Sequence, residues 1–302
     1  MSTLLILRAV INSVHRMHHN AVAGSGLPLM VCVIAALLVA AVGAGDSLSA
    51  TEPTTIPVCV VPQAASRPCM NADPNDPAWL HAVEIPKLTV SLGPAGKDLS
   101  AFPTKVLLMW DSNYLYIRFI CLQSNLYAPF VGRNQPVYPG DVVEVFLDPK
   151  GDSREYIEWE ISPRNQIFDQ LITLTTDPKS DANGMLLPEI RSRDWWADRS
   201  WDCERLMTAT RQIPTSGVNN AWIADIAIPA DPVLRRLGLK QWQSMNVRAN
   251  LIRYEWIDDA KEKGGKKLVA MNWSPIIYGC PHISPQAMGI LRLEDSHSSE
   301  SQ

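Results

Sequence analysis

Apolar residues recur at every second position in segment after segment of this chain. That period of two is what a half-buried β-strand requires, because successive side chains of a strand point to opposite faces. In residues 114–121 (YLYIRFIC), Leu115, Ile117, Phe119 and Cys121 share one face. Residues 104–110 (TKVLLMW) precede it across Asp111-Ser112-Asn113, a hairpin by spacing and composition. Residues 142–147 lead through PKGDSR into residues 156–161 (YIEWEI), a second hairpin. Further strand-like segments follow at 167–175, 206–211, 222–228, 247–256, 268–273 and 288–293, and only 232–239 reads as helix. Many short strands separated by turn signals predict an all-β chain, one two-sheet antiparallel β-sandwich of jelly-roll or immunoglobulin-like type. There is no strand–helix alternation, no internal repeat and no second domain.

One residue sits oddly in this pattern. In GDVVEVFLDP (140–149), Val143, Val145 and Leu147 fill one strand face, while Glu144 lies on the other between Val142 and Phe146. An unpaired buried carboxylate costs several kcal/mol, roughly, so Glu144 needs a partner, an opening to solvent or a ligand. An arginine such as Arg248 or Arg253 on a neighbouring strand would serve as the partner.

The two ends of the chain are of different character. Residues 27–42 (LPLMVCVIAALLVAAV) form an uninterrupted apolar run with Arg8, Arg16 and three histidines before it and no acidic residue ahead of Asp46. Gly43-Ala44-Gly45 follows, so the pattern is that of an export signal cleaved near Ala44, or of a membrane anchor through 27–44. Cleavage would take the net charge from −4 to −6 by deleting Arg8 and Arg16. Residues 45–70 read as a linker or an extended lead-in strand, 71–294 as the sandwich, and 295–302 as a disordered polar tail. An exported chain tolerates disulfides. Cys59 and Cys69 could close a short loop, and Cys121 reads as a buried thiol.

The acidic balance and the lack of basic runs, apart from the KEKGGKK loop at 261–267, exclude a nucleic-acid partner. That loop is a hairpin tip around Gly264-Gly265.

Taken in order, several segments resemble the family 9 carbohydrate-binding modules. They are DPNDPAWLHAVEI, TKVLLMWDSNYLYIRF, PGDVVEVFLDPKGDSREYIEWEISPRNQIFD, AWIADIAIP with MNVRANLIR, and NWSPIIYGCPHISPQAMGILRL. The resemblance runs from Asp73 to Leu293. It implies a β-sandwich that binds a polysaccharide or oligosaccharide without cleaving it, often with structural calcium. It further implies a sugar held between two rings, here Tyr138 and Trp273, with Glu144 bonding its hydroxyls. Two departures stand out: Tyr replaces the family's first Trp, and residues 156–160 lack its Arg.

Other candidates come from the residues themselves. Trp195 and Trp196 lie in a polar stretch, RSRDWWADRSWDCE, where rings can stack on sugar C–H faces. Trp79, Trp110, Trp159 and Trp222 have apolar neighbours and read as core, and Trp201 as packing at the sandwich end. Asp141, Asp148 and Asp152 could supply oxygens to calcium, or bond their own turns. No organic cofactor is expected. Two further classes remain open: a glycoside hydrolase pairing Glu144 with Glu158 or Glu160, and a haem-carrying relative using His282 or one of Met207, Met245, Met271 and Met288.

Overall fold

In chain order the strands are β1 (Val58–Pro62), β2 (Val83–Ile85), β3 (Val90–Ser91), β4 (Thr104–Trp110), β5 (Tyr114–Gln123), β6 (Val142–Asp148) and β7 (Glu155–Ile161). They continue with β8 (Ile167–Leu174), β9 (Trp195–Asp198), β10 (Met207–Ile213), β11 (Asn220–Pro229), β12 (Met245–Asp258), β13 (Lys266–Asn272) and β14 (Gly289–Glu294). The computed structural model describes residues 55–91, 102–123, 125–174, 195–214, 220–276 and 280–295. All of them belong to the second of two units, Met1–Ala44 and Gly45–Gln302. The apolar run at 27–42 and the tail beyond Asp295 lie outside the described residues.

The strands make two sheets. The larger runs β1-β14-β12-β6-β7-β8-β9, with β13 and then β3 continuing from the far half of β12. The smaller runs β10-β11-β5-β4-β2. Pairing is antiparallel except at β1 and β14, which run parallel from Val58↔Ile290 to Pro62↔Glu294. Between β11 and β12 the chain makes one α-turn, α1 (Ala230–Leu234), and a 3-10 turn that closes at Gly238 in the left-handed region (φ 72°).

Alternation places the core. Leu115, Ile117, Phe119 and Cys121 of β5 face Val143, Val145 and Leu147 of β6 and Trp159 of β7 across the gap between the sheets. Every one of these is fully buried, the arrangement that stabilises a sandwich. The outer faces are covered too. Trp79 lies on Met109, Tyr116 and Ala227 of the small sheet. Val142, Phe146, Tyr156, Phe168, Ile172, Ile252 and Tyr254 form a second cluster on the outer face of the large sheet.

The predicted strands are all present, with ends shifted by two residues at most. Thr175, the last residue of the segment 167–175, lies outside the described residues. Of the two readings of 45–70, the lead-in strand is present as β1, a strand of the large sheet with Val61 fully buried. Two features differ from the sequence reading. Trp195 and Trp196 belong to a short edge strand, not a loop. Cys59 and Cys69 are free thiols rather than a disulfide, and Cys121 is a buried thiol whose burial pushes it to about 12.

Candidate functional site

Register explains where Glu144 points. It pairs with Glu160 of β7 on one side and Ile252 of β12 on the other, so its side chain shares the outer face with Phe146, Tyr156 and Ile252. Glu158 stands on the same face, opposite Phe146 and Gln170. Three carboxylates thus crowd one patch of sheet. All are buried, at 2% exposure for Glu144 and Glu160 and 1% for Glu158. Burial, then the Glu158 and Glu144 charges, push the Glu160 carboxyl well above the usual carboxylate range. Two backbone N–H groups oppose that shift: Val137 and Tyr138 donate to Glu160 Oε2 at 3.1 and 3.0 Å.

Those two bonds give Glu160 a second task, because they tie the loop 125–141 to the sheet. Asp141 fastens the loop base by accepting from Tyr127 N (2.6 Å) and Trp256 N (2.8 Å). Trp256 Nε1 donates to Tyr138 O at 2.9 Å. Gly140 has to be glycine here, since a Cβ would sit 2.9 Å from Tyr127 O. Tyr138 and Phe130 are laid against the outer cluster in consequence.

The other rim comes from β9 and the 3-10 turn Pro281–Ile283. His282 stacks on Trp195 (centroids 4.7 Å apart, 16° between planes), and its Nδ1 lies 3.0 Å from the Tyr156 hydroxyl. Its Nε2 is 3.9 Å from Glu158 Oε1. Gln170 donates through Nε2 to Glu158 Oε2, while its Oε1 is buried with no hydrogen-bond partner. Asn250 Oδ1 accepts from Ser274 N at 3.0 Å, fixing the chain after β13.

Several expected roles change. Tyr138, Glu144 and Trp195 belong to the outer cluster, but Trp273 does not. It packs against the cluster between the sheets, and a Cβ on Gly289 would lie 2.6 Å from its Cζ3. The Tyr138–Trp273 ring pair is therefore not formed; Asn272 occupies the outer face and the next residue turns inward. Trp196, next to Trp195 on β9, is 56% exposed. Arg253 points inward and donates through Nη2 to Glu255 Oε2 at 2.7 Å, so it does not pair with Glu144. Arg248 sits opposite Asp148 and donates to Gln286 O at 3.0 Å.

The aspartates do not fit a calcium cage. Asp141 holds the loop as described, Asp148 accepts from Gly151 N (2.7 Å) and Ser153 N (2.8 Å), and Asp152 caps Arg154 N (2.9 Å). Among the described residues no group of three acidic, His or Cys side chains is placed to hold a metal ion. Met271 fills the core between the sheets, Met288 the outer cluster, and Met245 and Met207 pack at the margins of two different clusters.

Gln170 and Asn250 were not singled out by sequence, and Glu160 and His282 only for other roles, as a hydrolase carboxylate and a haem ligand. The available signal was polarity at outward positions of strands whose other outward residues are apolar, such as Gln170 between Phe168 and Ile172.

A two-sheet β-sandwich with a covered polar patch on its larger sheet defines the class. Known structures carry the comparison further. A family 9 carbohydrate-binding module from Caldicellulosiruptor kristjanssonii in complex with cellotriose superposes with a TM-score of 0.52 at 14% identity, over 81% of this chain and 97% of that one. The glucose complex of a family 9 module from the same organism gives 0.50 at 14%, over 81% and 100%. A protein from Bacteroides uniformis described as a candidate carbohydrate-binding protein gives 0.51 at 13%, over 80% and 100%. No family profile matches the sequence, and no curated protein does. The chain thus has the architecture of the family 9 modules.

Proposed function

We propose that this domain is an exported, non-catalytic glycan-binding module whose site lies on the outer face of the large sheet. The observation that carries the reading is the row Glu144, Glu158, Glu160, Gln170 and Asn250 set among Phe146, Tyr156, Phe168 and Ile252 on the outer face, bordered by Tyr138, Trp195 and His282. Rings match the C–H faces of a pyranose, and the buried carboxylates and amides beneath hold the rim that carries those rings. The same architecture holds cellotriose and glucose in the modules of C. kristjanssonii. A sugar would meet the rim first, at Tyr138 and Trp195, while Glu160 holds the Tyr138 loop from beneath.

The carboxylates also speak against hydrolysis. Glu144 and Glu160 are cross-strand neighbours, and Glu160 is held protonated well above the usual range, two features that a retaining glycosidase combines. At 2% exposure each, however, they reach no glycosidic bond and bear on a sugar only through the rim residues they hold. Export rests on the apolar run at 27–42 and its flanks.

A glycan array with and without calcium, followed by calorimetric titration of the best binder, tests the reading. Tyr138→Ala and Trp195→Ala should each weaken binding about tenfold or more, the cost of losing a stacking ring. A blank array, or unchanged affinity in both variants, would remove the site from this face. Reducing-sugar release that disappears in Glu144→Gln would replace binding by catalysis.

A further inference from the structure

At the end of the small sheet marked by the β4–β5 turn, the chain forms an open surface cleft of about 360 Å³. Arg67, Asn113, Tyr114, Arg205, Asp231 and Lys240 line it. Five separate segments contribute: the stretch after β1, the β4–β5 turn, the approach to β10, the start of α1 and the approach to β12. We propose that this cleft is a binding site for a small hydroxylated acid, its carboxylate or phosphate held by Arg67, Arg205 and Lys240.

Charge is the first support. Arg67, Arg205 and Lys240 line it beside the single lining carboxylate Asp231, on a chain whose net charge is −4. The excess is local and opposite in sign to the whole. It is also spoken for unevenly. Asp231 is shared by Arg205 (3.1 Å) and Arg235 (3.4 Å), and Asp111 lies 3.6 Å from Arg67. Among the described residues Lys240 has no ion pair, and neither its ammonium nor the Asn113 side-chain amide has a hydrogen-bond partner.

The cations are also positioned. Arg67 lies over the Tyr114 ring, 5.3 Å from its centroid, and donates to the Tyr116 hydroxyl at 3.1 Å. Such a contact restrains a long side chain at a half-exposed site. The carboxylate of Asp231 does the same for Arg205. A guanidinium restrained in this way presents a planar fork suited to two oxygens of one anion.

Size and polarity define the rest of the ligand. A water claims about 30 Å³ of liquid volume, so the cleft holds the equivalent of some dozen waters and is far too large for a bare ion. It falls in the range of small-molecule sites. Asp231 and Asn113 add an acceptor and an amide to the wall, which suit hydroxyls rather than a second charge. A sugar acid or a sugar phosphate has that combination.

Calorimetric titration of the full chain with galacturonate and glucose 6-phosphate, beside galactose and glucose, tests the site independently of the outer-face reading. At least one acid should bind tenfold or more tightly than its neutral counterpart, and the preference should shrink on going from low to molar salt. Which acid binds tells carboxylate from phosphate. Lys240→Met should weaken that binding at least threefold at an unchanged melting temperature, since its ammonium has no partner to lose. Equal binding of acid and neutral sugar, no binding of either acid, or full binding by the Lys240→Met protein overturns the proposal.

Discussion

Asp225 shows how one buried charge can organise the residues around it. Arg118 and Asp225 are register partners on β5 and β11, joined by two bonds of 2.7 and 2.9 Å. Neither side chain is more than 2% exposed, and the Trp79 ring covers the guanidinium at 4.5 Å. Asp225 Oδ2 also accepts from Ala72 N at 2.9 Å, which draws the lead-in segment onto the sheet. Asp225→Ala should therefore cost about 3–5 kcal/mol in urea unfolding, because it strands a buried guanidinium and frees an amide. The double variant Arg118→Met/Asp225→Leu should recover most of that loss. Equal losses in the single and double variants would mean that packing, and not the charge pair, carries the stability. None of this could be read from sequence, where Arg118 and Asp225 are 107 residues apart and look like ordinary polar positions in two strands.

Among the elements, the hairpins β4–β5 and β6–β7 were legible because period-two patterning and turn residues agree along them. Edge strand β9 was not, since Trp195 and Trp196 sit among Arg and Asp residues that read as loop. The side on which Trp273 falls depends on register carried from β6 through β12 to β13, information that a single chain does not hold locally. Strand β12 also carries an electrostatic consequence. Its Arg253 and Glu255 point inward, where Asp141 joins them, so two buried carboxylates face one guanidinium with Lys266 as the further cation. Burial is the main cause that pushes Glu255 to about 7 and Asp141 to about 6. The folded protein then keeps protons that the unfolded chain releases near pH 4, so stability falls as pH rises from about 4 to 7 and levels off above. Glu160, raised on the opposite face, adds to the same trend. The urea midpoint should be higher at pH 5 than at pH 8, and Glu255→Gln should flatten the difference. A midpoint that rises between those pH values would contradict the shared-guanidinium arrangement.

For the molecule as a whole, both ends of the sandwich sequence meet in one place. Strand β1, from the first ordered stretch, lies parallel to β14, and Ile290 N donates to Pro57 O at 2.9 Å. The chain then crosses to the other sheet, where Gln63 bridges to Trp110, Ala64 N donates to Trp110 O at 2.7 Å, and Trp110 Nε1 donates to Val61 O at 3.1 Å. Five residues of lead-in sequence thus fasten the large sheet to the small one along an edge. Two truncations separate this role from that of the segment before it. A chain starting at Gly45 should keep the melting temperature of the full chain within about 2 °C, and mass spectrometry of protein from the native host should find an N-terminus near Gly45. A chain starting at Gln63 loses the buried Val61, the five-residue parallel ladder and the acceptor of the buried Trp110 indole. Burying one aliphatic side chain contributes about 1.5–3 kcal/mol, and stranding a buried donor costs about 1–3 kcal/mol. At roughly 2–4 °C per kcal/mol for a domain of this size, the drop should be about 10 °C or more. Equal melting temperatures for the two truncations would make β1 a passive strand on a sandwich that closes without it. The expected loss would instead place the fold's N-terminal boundary within the Pro-rich lead-in, ahead of Val58 and well before Asn71.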